Sequence, residues 1–446
     1  MVLHPRYRQR LTRPALPSQT ATRRAARAAA CLLAAACTRG PAPRTAVEQA
    51  AALTPEVEQA VGLRFRTPPR VERRSRADVH AAVAAELARP EARAGLAARQ
   101  AAYRRLGLIP DTLDLAALTA RVMDEQVAGY YDPRSKILYV VDGADSAATA
   151  AALRHELVHA LQDQHLNLDS LVTRARDLDA EAAARAALEG QAMWVQLGGG
   201  RDIASRLPGG WDRVREDIRA NADRDPALAG APLVVREGVL FPYLSGAELA
   251  RQAAAAGRFD SLARRPPAGT RLVLHPEAYL APPARAPRLT TVTLPPPRAG
   301  SVGATNVLGE FDTRLFLYQH TQDLGGSARA AAGLAGDRWA TVRTGSGDAF
   351  VWLTVWDTGA DAAEFFQAAG DAVSKRYEGA RADSAAAGGA RGGGTVKTYT
   401  AAARDGGRVV RVRALDVAGR PAVLYVDASG AGDLDVVDPA RATLRP

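Results

Sequence analysis

Arg154-His155-Glu156-Leu157-Val158-His159-Ala160-Leu161-Gln162-Asp163-Gln164-His165 decides how the rest of this 446-residue chain is read. Asp145-Ser146 supplies an N-cap, and Ala147 to Leu153 is a run of good helix formers. The segment from about Ala147 to Gln164 is therefore expected to be one helix. His155 and His159 then share a helix face, where two imidazoles reach a single ion, and Glu156 is rotated by about 100° to stand beside that ion without ligating it. A zinc ion held this way acidifies water, and the neighbouring carboxylate takes the proton.

Such a site needs a third protein ligand. His165 has the spacing of the metzincin pattern HExxHxxGxxH, but Gln162 stands where that pattern needs Gly to leave the helix. In a continuing helix, six residues amount to roughly 600°, which turns His165 away from His155 and His159. Met1, Met123 and Met193 are the only methionines, so no downstream methionine turn exists. Glu189, within the Ala-rich run from Asp179 to Ala192, is the better candidate, because small residues there let helices approach closely. Its rival Glu181 has Arg185 four residues later and is expected to form a plain surface ion pair.

These residues resemble the gluzincin branch of the zinc metallopeptidases, which pair HExxH with a Glu on a later helix. The resemblance covers about Gly129 to Trp194. It implies zinc as cofactor, His155, His159 and Glu189 as ligands, and Glu156 as general base. In thermolysin-like members an Asp four residues after the ligand Glu orients a ligand His. Here that position is Met193, which leaves Asp163 as a candidate orienting partner.

Gly129 to Asp142 reads as a hairpin with an Asp132-Pro133 turn. In zincins a strand at this place edges the cleft, where extended substrate pairs by strand addition. Upstream, Val47 to Val61, Ser75 to Leu106 and Leu113 to Gln126 read as helices of a packing layer. Downstream, a helix is expected from Gly246 to Ala256. Tyr243 and His275 are residue types that stabilise an oxyanion in gluzincins, but chain position alone links them to the site; Tyr243 reads better as a half-buried core residue and His275 as the start of a turn before Pro276.

The Pro-rich passage 294–300 marks an expected boundary. The fold class expected overall is α+β: a zincin-like helical catalytic domain with a small antiparallel sheet over 47–296, then a separate α+β domain over 301–446. In the latter, Ser327 is expected to cap a short helix. Asp348 to Asp357, Val396 to Thr400, Val409 to Val412 and Val423 to Val426 read as strands, and Gly359 to Tyr377 as a helix. Trp352 and Trp356 share a strand face and are assigned to the core.

Seven Arg and no acidic residue fall within 1–36, so only +3 of the formal net charge of +10 belongs to the remainder. That balance gives no nucleic-acid footprint. Arg23, Arg24 and Arg27 precede an apolar run and then Ala34-Ala35-Ala36-Cys37, a match to an export signal ending in a lipobox. The expected leader is 1–37, with Cys37 lipidated and a linker over 38–46. Cys31 and Cys37 are the only cysteines, so the mature body has no thiol chemistry.

Two functional classes follow. One is an exported, lipid-anchored zinc metallopeptidase acting on peptide or protein substrates in the cell envelope. The other is a zincin-fold lipoprotein that binds or scaffolds without turnover. The intact Glu156 favours the first, since a purely structural zinc site does not need it.

Overall fold

A computed structural model describes residues 45–446 except 127–128, 143–145, 174, 200–208, 346, 378–380, 384–395, 401–406 and 430–433. The expected leader, Cys37, most of the linker, the Asp145 cap and the loop 385–394 lie outside these residues.

The fold is α+β. Helix α1 (Ala46–Val61) opens with a capping box in which Thr45 and Glu48 satisfy each other's backbone N–H groups. Strand β1 (Arg70–Arg74) follows, then α2 (Arg76–Leu87), α3 (Pro90–Arg105) and α4 (Leu115–Gln126). The single helix expected from Ser75 to Leu106 is thus two. Arg89 is extended before Pro90, whose ring disfavours a helical predecessor and suits the first helical position.

The expected hairpin is present as β2 (Gly129–Asp132) and β3 (Ile137–Val141), paired antiparallel. Unexpectedly, β1 adds parallel to the other side of β3, which leaves β2 as an outer strand. Helix α5 (Ser146–Leu166) follows, then α6 (Leu168–Thr173) and α7 (Leu178–Gln196). Leu153, Leu157 and Leu161 put one face of α5 into a core built with α1, β3 and α7. Each of these leucines is fully buried, a contribution of about 1.5–3 kcal/mol apiece. That packing fixes which way the opposite face of α5 points.

A helix over Leu233–Phe241 runs into a π-helical turn, Pro242–Gly246, and on into the expected helix at Ala247–Ala255. Beyond it, β4 (Thr291–Thr293) pairs with β12 (Thr443–Arg445). A seven-stranded sheet is built from β5 (Ser301–Asn306), β6 (Leu334–Thr344), β7 (Gly347–Trp356), β8 (Arg381–Asp383), β9 (Val396–Thr400), β10 (Arg408–Val417) and β11 (Arg420–Ser429), in the order β5-β6-β7-β11-β10-β9-β8. The helix at Leu324–Ala331 is capped by Asp323, which accepts from Gly326 N, whereas the expected cap Ser327 is buried inside it. Strands β5 and β6 and the helix Gly309–Thr321 were not anticipated.

The described residues from 45 onward pack as one compact unit. Its largest core joins Tyr103 of α3, Leu106 just after it, and Leu240 and Leu244 around the π-helical turn to Trp339, Trp352, Trp356 and Phe365. Polar contacts also cross the Pro-rich passage. Tyr103 donates to Asp312 at 3.0 Å, and Phe311 N donates to Thr270 Oγ1 at 3.1 Å. Trp352 and Trp356 are fully buried.

Candidate metal centre

Helices α5 and α7 pack side by side, and three side chains meet between them. His155 Nε2 lies 3.0 Å from Glu189 Oε2, His159 Nε2 lies 3.4 Å from the same oxygen, and the two Nε2 atoms are 3.1 Å apart. Among the described residues this is the one group of three or more His, Cys, Asp or Glu whose ligand atoms lie within 4.8 Å of one another. Zinc–nitrogen bonds of ~2.0–2.1 Å at a tetrahedral angle separate ligand atoms by ~3.3 Å, so the spacing suits one zinc ion.

The ring hydrogen bonds fit the same use. His155 Nδ1 faces Gln196 Oε1 at 3.0 Å, and His159 Nδ1 faces Gln162 Oε1 at 2.9 Å. An amide oxygen only accepts, so each Nδ1 carries a hydrogen, and in the neutral ring each Nε2 turns its lone pair inward. Two inward lone pairs and a carboxylate repel one another unless a cation or a proton lies between them. Burial pushes the His159 pKa down, but the Glu189 charge and hydrogen bond outweigh it and bring the value up to about 9. Burial likewise pushes Glu189 up, and the two imidazoles overcome it, leaving Glu189 well below the usual carboxylate range.

Glu156 accepts a 2.8 Å hydrogen bond from Tyr131 N on β2, which fixes its carboxylate beside the two imidazoles. Burial raises its pKa, while His155 and His159 pull the other way. A second tie holds β2 to the helix: Asp163 accepts from Tyr131 Oη at 2.8 Å, and also from Lys136 Nζ at 2.6 Å and Leu168 N at 2.9 Å. Asp163 therefore orients the hairpin. It does not orient a histidine, and the expectation that it would is corrected: Gln162 and Gln196 fill that place.

Gly190 permits a close backbone contact. A Cβ there would collide with the Gly246 carbonyl, and a Cβ at Gly246 would collide with the Ala186 carbonyl. The pair lets α7 rest directly on the π-helical turn, an irregularity that recurs at functional sites. That turn carries Tyr243, whose ring centre lies 6.3 Å from that of His155. The negative charge of Glu189, then burial, then Glu156 raise the Tyr243 pKa well above its ordinary value, so its hydroxyl keeps its proton.

The remaining candidates fall elsewhere. His165 Nε2 is 2.9 Å from the Arg64 carbonyl, away from the cluster. His275 is paired with Glu310 at 2.8 Å and Arg314 at 3.1 Å. Glu181 makes its ion pair with Arg185 at 3.0 Å. Sequence reasoning missed Gln162, Gln191 and Gln196, and it passed over Tyr243. For Gln162 a signal existed, since it is the residue that breaks the metzincin pattern.

The matched family does not reach this cluster. A family model described as a domain of unknown function (DUF8575) matches residues 298–424, within the C-terminal α+β region. No curated protein and no solved structure matches the chain.

Proposed function

We propose that this chain is an exported zinc metallopeptidase of gluzincin type, with His155, His159 and Glu189 as metal ligands and Glu156 as general base. One observation carries the reading: the Nε2 atoms of two imidazoles and a carboxylate oxygen converge at zinc-ligand spacing beside a half-buried, backbone-held carboxylate. Bound zinc would supply a Lewis acid that polarises a peptide carbonyl and acidifies water. Glu156, made more basic by burial, takes the proton of the attacking water and delivers it to the departing amine. The protonated hydroxyl of Tyr243 donates to the oxygen on which negative charge develops. The outer strand β2 lies against α5 and aligns an extended peptide by strand addition.

Export and a lipid on Cys37 belong to the proposal on the strength of residues 23–37 alone. Among the described residues no helix is long and apolar enough to cross a membrane.

Cleavage of a mixed peptide library, with and without chelator, tests the activity. Wild-type protein should cleave, and chelator should abolish cleavage. Glu156→Gln, which keeps size but not basicity, should retain its zinc and lose roughly 10²–10⁴ in rate. A wild type that holds zinc yet cleaves nothing, with Glu156→Gln indistinguishable from it, would favour a binding or scaffolding role.

A further inference from the structure

Gln162 and Gln191 are both 1 % exposed, unusual for side chains that bring four hydrogen-bonding groups each into a core. Their bonds run in one direction. Gln191 Nε2 donates to the Phe259 carbonyl. Gln191 Oε1 accepts from Gln162 Nε2 at 2.9 Å, and Gln162 Nε2 also donates to the Leu188 carbonyl at 3.3 Å. That leaves Gln162 Oε1 against His159 Nδ1 at 2.9 Å.

The backbone carbonyls set the polarity of this chain of amides. A carbonyl cannot donate, so Gln191 must turn its NH2 to Phe259 and Gln162 must turn its NH2 to Leu188 and Gln191. Reversing either amide would set oxygen against oxygen inside a core, at a cost of about 1–3 kcal/mol for each group left unpaired. Gln162 can therefore offer His159 only an acceptor. The histidine is driven to the tautomer with hydrogen on Nδ1, and its Nε2 lone pair faces His155 and Glu189.

We propose that Gln162 and Gln191 form a positioning relay, anchored on the Phe259 and Leu188 carbonyls, that sets the orientation and tautomer of His159, so that metal affinity depends on two side chains that do not touch the metal. The proposal rests on the metal reading above. The relay spans α5, α7 and the turn that carries Phe259, so it also ties metal affinity to the packing of that turn. It is neutral. A carboxylate in the same place would cancel one more positive charge, so with Glu189 as the only anionic ligand a bound dication keeps a net positive charge with which to polarise substrate.

Zinc affinity, measured by chelator competition on the full chain, tests the relay without recourse to activity. Gln162→Met keeps length and volume but removes the acceptor. It should weaken zinc binding roughly 10–100-fold. Gln162→Glu restores an oxygen opposite Nδ1 but sets its second oxygen against the Leu188 carbonyl and Gln191 Oε1, so it should recover only part of that loss, and Gln191→Leu should give a smaller loss than Gln162→Met. In proton NMR of the zinc-loaded protein, the exchange-protected ring N–H of His159 should be visible in wild type and lost in Gln162→Met, while that of His155 stays. Thermal unfolding of each metal-free variant checks that it folds. Wild-type protein that binds zinc, together with a folded Gln162→Met that binds it within twofold as tightly, overturns the relay alone. Wild-type protein that binds no zinc overturns the metal reading and the relay with it.

Discussion

Asp179 stands in the first turn of α7 and Glu189 roughly three turns further along the same helix, and their surroundings treat a carboxylate in opposite ways. Asp179 accepts two fixed hydrogen bonds. Thr270 N and Thr270 Oγ1 bond its Oδ1 at 3.0 and 2.5 Å, and Gly309, at φ +72°, brings its backbone against the same group. Nearby Asp337 is likewise taken up by Leu308 N, Gly309 N and the Trp352 indole at 2.9–3.0 Å. Glu189 instead faces the Nε2 atoms of two imidazoles, and among the described residues it has no backbone or hydroxyl donor of that kind. The difference teaches that burial and a displaced pKa do not by themselves mark a site. Both acids have displaced pKa values; only the second leaves acceptors converging on a point that a cation can fill.

The comparison is sharpened most by Tyr243. If the π-helical turn serves the cluster, Tyr243→Phe should keep its zinc and lose about 10²–10³ in the rate of peptide cleavage, the typical cost of removing one hydrogen bond to a developing oxyanion. A loss confined to thermal stability, with rate unchanged, would return Tyr243 to a packing role.

A smaller effect, on stability alone, is expected at Asp179. Burial pushes its pKa up to about 8 despite the two bonds from Thr270. Between about pH 4 and pH 8 the folded chain therefore holds a proton that the unfolded chain has released, so this group's contribution to stability falls as pH rises through that window. Asp179→Asn removes the dependence while keeping an oxygen for Thr270. Urea unfolding should show the variant gaining on wild type between pH 5 and pH 9, by on the order of 1–3 kcal/mol, with zinc affinity unchanged. A variant that loses zinc would break the distinction between the two ends of α7.

Much of this was legible in the sequence because it rests on local periodicity. HExxH on one helix places two imidazoles together whatever surrounds them, and the Ala run leading to Glu189 needed only a second helix packed close. The hairpin before α5 follows from alternation and an Asp-Pro turn. What could not be read depends on contacts distant in sequence. The amide relay becomes visible only when Gln191 and Phe259, 68 residues apart, are seen to bond. Tyr243 reaches the cluster only because Gly190 and Gly246 let two backbones touch. The parallel addition of β1 to β3 and the shared core across the Pro-rich passage are likewise long-range, and composition carries no trace of either.

Metal stoichiometry tests the central claim most directly. Purified full-length protein, its Glu156→Gln variant and its Glu189→Ala variant should be compared by elemental analysis after dialysis against a weak chelator. One zinc per chain is predicted in the first two and almost none in the third. Equal zinc in all three, or none in the wild type, would contradict the assignment of His155, His159 and Glu189 as a metal centre.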